Sequence, residues 1–144
     1  MIWYKTHTLD EINVLFDRYM TQHLGVKVIE ILDDGLVATM PVTDKVRQPF
    51  GILHGGASVV LAESLGSVAS NLCVNPEKWM GVGMEINANH LRSVKDGFVK
   101  AVCTAIRLGR TTHVWDIKIY DAREKLICIS RHTVAIIAQR GNDS

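Results

Sequence analysis

"HGGASVVLAESLGSVASNLCV", residues 54–74, is the stretch on which the reading of this chain turns. Two glycines open it and "NPEK" closes it, so the spacing predicts one long helix from Gly55 or Gly56 to about Val74. Leu61, Leu65, Val68 and Leu72 recur at helical spacing as an apolar stripe, and Val60, Glu63, Ser67 and Ser70 form a second, more polar one. Nearly every other position is small or apolar, so this helix expects burial on most sides. Glu63 is the exception. A carboxylate on a buried helix face has its pKa raised by desolvation unless donors or cations compensate, and such a group can serve as nucleophile or general base. The plain alternative is a Glu that points to solvent or pairs with an Arg.

Strand signals surround the helix. Upstream, "VKVIEIL" (26–32) and "LVATMPV" (36–42) are rich in β-branched residues, and Asp34-Gly35 between them is a hairpin signal. A loop, "TDKVRQPFG" (43–51), leads into the helix. Downstream come "GVGMEINANHLRSV" (81–94), with Met84, Ile86, Ala88, His90 and Arg92 expected on one face, and "GFVKAVCTAIRLG" (97–109). "HVWDIKIYD" (113–121) sets Trp115, Ile117 and Ile119 against Asp116 and Lys118, and "KLICISRHTVAIIA" (125–138) is the last strand. At the start, Thr8 and Glu11 form a capping box, and Leu9, Ile12, Phe16 and Tyr19 fall on one face of a first helix. The final "QRGNDS" is expected to fray. Short links between the late strands imply a mostly antiparallel sheet, so residues 1–144 read as one α+β domain in which six strands curl around the long helix.

Composition narrows the function. The 144 residues are 47% apolar with a formal net charge of +1, which suits one ordered domain and gives no electrostatic reason to expect nucleic acid or an anionic membrane as partner. Cys73, Cys103 and Cys128 are odd in number, fit no metal spacing and lie in apolar segments, so buried free thiols in a reducing compartment are expected. The N-terminus lacks a basic region followed by an apolar run, and no stretch reaches spanning length; a cytoplasmic protein is expected. No phosphate-binding glycine loop, zinc cluster or GxSxG elbow is present, and neither metal nor cofactor is expected. His7 and His132 fit no spacing that assigns them a role.

The helix start carries a second chemical feature. "HGG" presents unobstructed N–H groups at a helix N-terminus, where the dipole favours an oxyanion; the alternative is that the glycines only permit close packing. Gly55 and Glu63 are eight residues apart, roughly 12 Å along a helix. One reacting carbonyl cannot touch both within one chain. If both act, the oxyanion site of one subunit must face Glu63 of another. Gln48 could orient a water or a carbonyl through its amide, and His54 could polarise the carbonyl or simply hold the loop. Ser67, one turn beyond Glu63, could hydrogen-bond substrate or water. Arg92, Lys95, Arg107 and Arg110, with hydroxyls at Thr111 and Thr112, suit phosphates or form an ordinary solvated surface.

The runs "QPFGILHGGASVVLAES", "GVGMEINANHLRSV" and "LGRTTHVWDIKIYD" resemble the hotdog-fold acyl-CoA thioesterases over nearly the whole chain, most specifically in the H-G-G-(six residues)-E block. Glu rather than Asp at position 63 is similar to the branch acting on aromatic acyl groups of the 1,4-dihydroxy-2-naphthoyl (menaquinone) and 4-hydroxybenzoyl type, with the enterobactin proofreading thioesterases beside it. The resemblance implies hydrolysis of a thioester to a free acid and coenzyme A, without a cofactor. It implies Glu63 as the catalytic carboxylate and the Gly55 N–H as oxyanion donor. Gln48 and His54 would position carbonyl and water, and Ser67 would assist. Gly83, His90, Leu91, Arg92 and Ser93, with Arg107, Leu108, Gly109, Arg110, Thr111 and Thr112, correspond to the region holding pantetheine and nucleotide. A tetramer built as a dimer of dimers is implied, with coenzyme A or an acyl or aryl carrier protein as the thiol carrier. Two alternatives stand beside hydrolysis: a hotdog hydratase or dehydratase, and a non-catalytic acyl-CoA sensor.

Overall fold

The structure is a computed structural model that describes residues 1–140. Its elements run α1 (Leu9–Phe16), α2 (Tyr19–Leu24), β1 (Lys27–Ile31), β2 (Gly35–Pro41), α3 (Gly55–Leu72), β3 (Trp79–His90), β4 (Phe98–Leu108), β5 (Thr112–Asp121) and β6 (Leu126–Ala138). The six strands form one sheet in the order β1-β2-β4-β5-β6-β3, every pair antiparallel. The sheet curls about α3, whose Leu61, Ala62, Leu65 and Ala69 are fully buried against it. Alternation in β5 sends Trp115, Ile117 and Ile119 into the same core.

Thr8 accepts from the Glu11 N–H and Glu11 reaches back to the Thr8 N–H, the expected capping box. The first helix is nevertheless shorter than its apolar spacing suggests. The Thr21 hydroxyl donates to the Phe16 carbonyl at 2.8 Å and competes with the next helical N–H. Tyr19 then takes a φ of 59° and starts α2 with its ring exposed, so only Ile12 and Phe16 of the predicted face are fully buried.

The hairpin at Asp34-Gly35 forms, but Gly35 is needed for space rather than for turn conformation. A Cβ there would meet the Cys103 carbonyl oxygen at 1.8 Å, so β2 and β4 approach this closely only over a glycine.

β3 departs from simple alternation. Its register against β6 shifts between Gly83 and Glu85, and Met84 is the extra residue of a bulge. Met84 is therefore exposed instead of sharing the inward face with Ile86 and Ala88, and Gly83 takes the inward place. The strand ends at His90, leaving Arg92 in the following loop. Just before the bulge the Asn71 side chain donates to the Gly81 carbonyl at 3.2 Å and accepts from its N–H at 2.9 Å, which pins α3 to β3.

All three thiols are free. Cys103 and Cys128 are buried, whereas Cys73 is half-buried; burial pushes the Cys73 thiol up to about 12 and Cys103 well above its usual value. Of the expected frayed tail, Gln139 is still tethered by its N–H to the Lys78 carbonyl, and residues 141–144 lie outside the described residues. Among the described residues no helix is long and apolar enough to cross a membrane, and no group of three His, Cys, Asp or Glu side chains is placed to hold a metal ion.

Candidate active site

The loop into α3 is built from its own hydrogen bonds. The Gln48 N–H donates to the Ile52 carbonyl at 2.9 Å, the Gly51 N–H donates to the Gln48 carbonyl at 2.8 Å, and the His54 N–H donates to the Val46 carbonyl at 2.7 Å. Gln48 Oε1 accepts from the Phe50 N–H. Its amide NH2 is thereby the end left to donate outward. His54 caps the helix: Nδ1 accepts the Gly56 N–H at 2.8 Å. His54 therefore holds the loop, and its remaining ring nitrogen is the one that can reach a ligand. Among the described residues nothing accepts the Gly55 N–H. The helix start thus offers a free donor on the positive end of the helix dipole.

His90 closes this site from β3. A Cβ on Gly55 would lie 2.8 Å from His90 Nε2, so the glycine lets the imidazole lie against the helix start. Gln48, Gly55, His90, Arg92 and Ser93 line one cleft of about 290 Å³, joined by Ile52, Leu53, Ser58 and Ile127. Five sequence candidates therefore meet at one place. Leu91 lies exposed beside them, between His90 and Arg92.

Glu63 and Ser67 lie at another place. The Glu63 side chain is half-buried, in no ion pair with the described residues, and reaches over β3: a Cβ on Gly83 would lie 3.2 Å from Glu63 Oε1. Pairing with an Arg is thereby removed as its explanation. Ser67 Oγ is 2.9 Å from His132 Nε2, and His132 Nδ1 is 3.0 Å from the Glu85 carbonyl.

The Arg107–Thr112 hairpin belongs to the Glu63 end of the sheet. Along β6, Thr112 pairs with Ala135 and Gly83 with Val134, while His90 pairs with Cys128. At about 3.3 Å per residue the hairpin and His90 are some 20 Å apart along the strand. One chain therefore divides the expected residues into two groups: Gln48, His54, Gly55 and His90–Ser93 at the helix start, and Glu63, Ser67, Gly83 and Arg107–Thr112 toward the other end. Arg107, Arg110 and Thr111 are exposed, and the hairpin is closed by the Gly109 N–H on the Thr112 carbonyl at 2.8 Å.

Sequence spacing assigned nothing to His132, yet it is fully buried beside Ser67 and Gly83. A signal existed in the two-residue alternation of β6, which puts Ser130 and His132 on the same inward face as Cys128, Val134 and Ile136. A polar pair on an apolar face asks for partners. Ser70, assigned to the polar stripe, is fully buried, accepts from Trp115 Nε1 at 2.7 Å and lies 3.1 Å from His113 Nδ1.

One long helix is cradled in an antiparallel sheet, with a free N–H at its start and, among the described residues, an unpaired carboxylate in its middle. Comparison with known proteins names the class. The model of the thioesterase superfamily matches residues 50–128, and the chain belongs to that superfamily.

The chain is 50% identical over 137 residues to 1,4-dihydroxy-2-naphthoyl-CoA hydrolase of Escherichia coli K12, a match covering 95% of this chain and 100% of the relative. It is 44% identical over 137 residues to the proofreading thioesterase EntH of Cronobacter sakazakii, covering 95% and 99%. The crystal structure of a variant thioesterase from Pseudomonas aeruginosa superposes with a TM-score of 0.94 at 47% identity, covering 96% of this chain and 100% of that one. The chain has the hotdog fold and is a thioester hydrolase of this family, so the hydratase and sensor alternatives fall away.

Proposed function

We propose that the chain hydrolyses aromatic acyl-CoA thioesters of the 1,4-dihydroxy-2-naphthoyl or hydroxybenzoyl type, at sites shared by two subunits. The observation that carries the shared site is the separation, on one helix, of the free Gly55 N–H from the Glu63 carboxylate. The sheet supplies the means of joining them. β3 is an edge strand of 12 residues with Val82 and Met84 exposed on it, and Glu63 sits directly above. An edge of that length is a template for pairing with a second copy. Antiparallel pairing there brings the helix start of one subunit toward the Glu63 of the other. The Gly55 and Gln48 donors then hold the developing oxyanion opposite the carboxylate.

The reaction adds water to the thioester carbon and breaks the carbon–sulfur bond; the acid and the thiol leave, the thiol taking a proton. Glu63 acts in one of two ways. It attacks the carbon to form an anhydride that water then opens, or it removes the proton from an attacking water. Both need a carboxylate with no cation paired to it, which is the state observed. Arg92 on one subunit and Arg107 and Arg110 on the other provide exposed guanidinium groups for the phosphates of the carrier. The aromatic acyl group is supported by the Escherichia coli relative, which hydrolyses 1,4-dihydroxy-2-naphthoyl-CoA. A dimer of such dimers is the assembly proposed.

Thiol release from benzoyl-, naphthoyl- and fatty-acyl-CoA, and from an aryl carrier protein, tests this reading. Fast release from the aryl-CoA substrates that vanishes in a folded Glu63→Gln variant is expected. Turnover retained by Glu63→Gln, or a strong preference for fatty acyl groups, would sink it.

A further inference from the structure

His132 is fully buried and held on three sides. A Cβ on Gly66 would lie 3.0 Å from its Cδ2, and a Cβ on Gly83 would lie 3.0 Å from its Cε1. Glycines of α3 and β3 therefore clear the two faces of the site in which the ring sits. The third constraint is hydrogen bonding. The Glu85 carbonyl, 3.0 Å from Nδ1, can only accept, so Nδ1 carries the proton. In the neutral ring Nε2 is then an acceptor, and the Ser67 hydroxyl 2.9 Å away must donate to it.

The consequence falls on Glu63. Ser67 follows it by one helical turn, close enough for an uncommitted hydroxyl to donate to the carboxylate. Such a bond would stabilise the anion and reduce its reactivity. In the structure Glu63 accepts no hydrogen bond from the described residues, and the Ser67 proton is engaged by His132. We infer that His132 is a positioning residue for hydrolysis: it holds the Ser67 proton away from Glu63 and turns the Ser67 oxygen into an acceptor one helical turn from that carboxylate. A water there gives one hydrogen to Ser67 and the other to Glu63, with a lone pair left for the thioester carbon. This rests on the catalytic reading of Glu63 above.

Nitrogen NMR of the folded wild-type protein tests the tautomer without any substitution. A protonated Nδ1 and a bare Nε2 on His132 are expected, and a proton on Nε2 overturns the inference. Two substitutions then separate the halves of the ring. Gln places an acceptor near Nε2, and Asn places a donor near Nδ1. His132→Asn is expected to lower kcat by about tenfold, the scale of one oriented hydrogen bond, with KM little changed. His132→Gln should recover most of that loss, and His132→Asn should cost nothing further when Ser67 is already Ala. Equal kcat losses in the Asn and Gln variants that track their melting temperatures and add to the Ser67→Ala loss would mean a structural role only, and would overturn the inference. A Glu63→Gln variant that still turns over removes the catalytic reading itself. An inactive Glu63→Gln beside a His132→Asn of wild-type kcat removes only the role of His132.

Discussion

The Glu63 carboxylate rests over Gly83 of β3, where a Cβ would lie 3.2 Å from Oε1 and 3.0 Å from His132 Cε1. Alternation from Gly81 turns Gly83 to this face, and the Met84 bulge then brings Ile86 and Ala88 to it as well. His132 is fixed by two hydrogen bonds and cannot give way, so an added methyl must move Glu63. Gly83→Ala is therefore expected to lower the melting temperature, because the methyl also meets the fixed His132 ring, and to lose kcat on the order of 10²-fold, since small displacements of a reacting group cost that much. Steady-state kinetics beside a melting curve checks this; an unchanged kcat would show that Glu63 tolerates the shift.

Gly35 makes a different prediction. Its missing Cβ faces a backbone carbonyl at 1.8 Å, and backbone cannot step aside as a side-chain end can. Gly35→Ala should destabilise the fold by about 3 kcal/mol or more, the upper range for overpacking, by prying β2 from β4. Denaturant unfolding measures it. Gly35 pairs with Thr104, three residues from Arg107 on β4, so a KM that rises in the folded fraction would show the strain reaching the Arg107–Thr112 hairpin.

Acid should weaken the fold through His113. This ring is buried between Ser70 and Trp115, and desolvation lowers its pKa below the ordinary 6.5. The folded state therefore resists a proton that the unfolded chain accepts. The stability concerned is complete above pH about 6.5 and is lost as pH falls through the folded-state value. Melting temperatures across that range should fall with acid in the wild type and fall less steeply in His113→Gln. Parallel curves for the two proteins would refute the assignment to His113.

Much of this protein was legible in its sequence because much of it is local. Helical spacing and flanking glycines gave α3 to within two residues at its C-terminal end, alternation gave β5 with its inward face, and composition gave the extent of β6 without one. The eight-residue separation of Gly55 and Glu63 was enough to argue that one chain cannot close one site around both. What periodicity could not supply was register. A single extra residue at Met84 reversed which side chain β3 turns inward, and one hydroxyl at Thr21 ended α1 before Tyr19. Ser67 and His132 are 65 residues apart, and nothing near either one announces the other. They meet because β3 and β6 pair in one register beneath α3. Local pattern determined the elements and the chemistry they carry; the long-range pairing of strands, which depends on all six at once, decided which polar groups share a hydrogen bond.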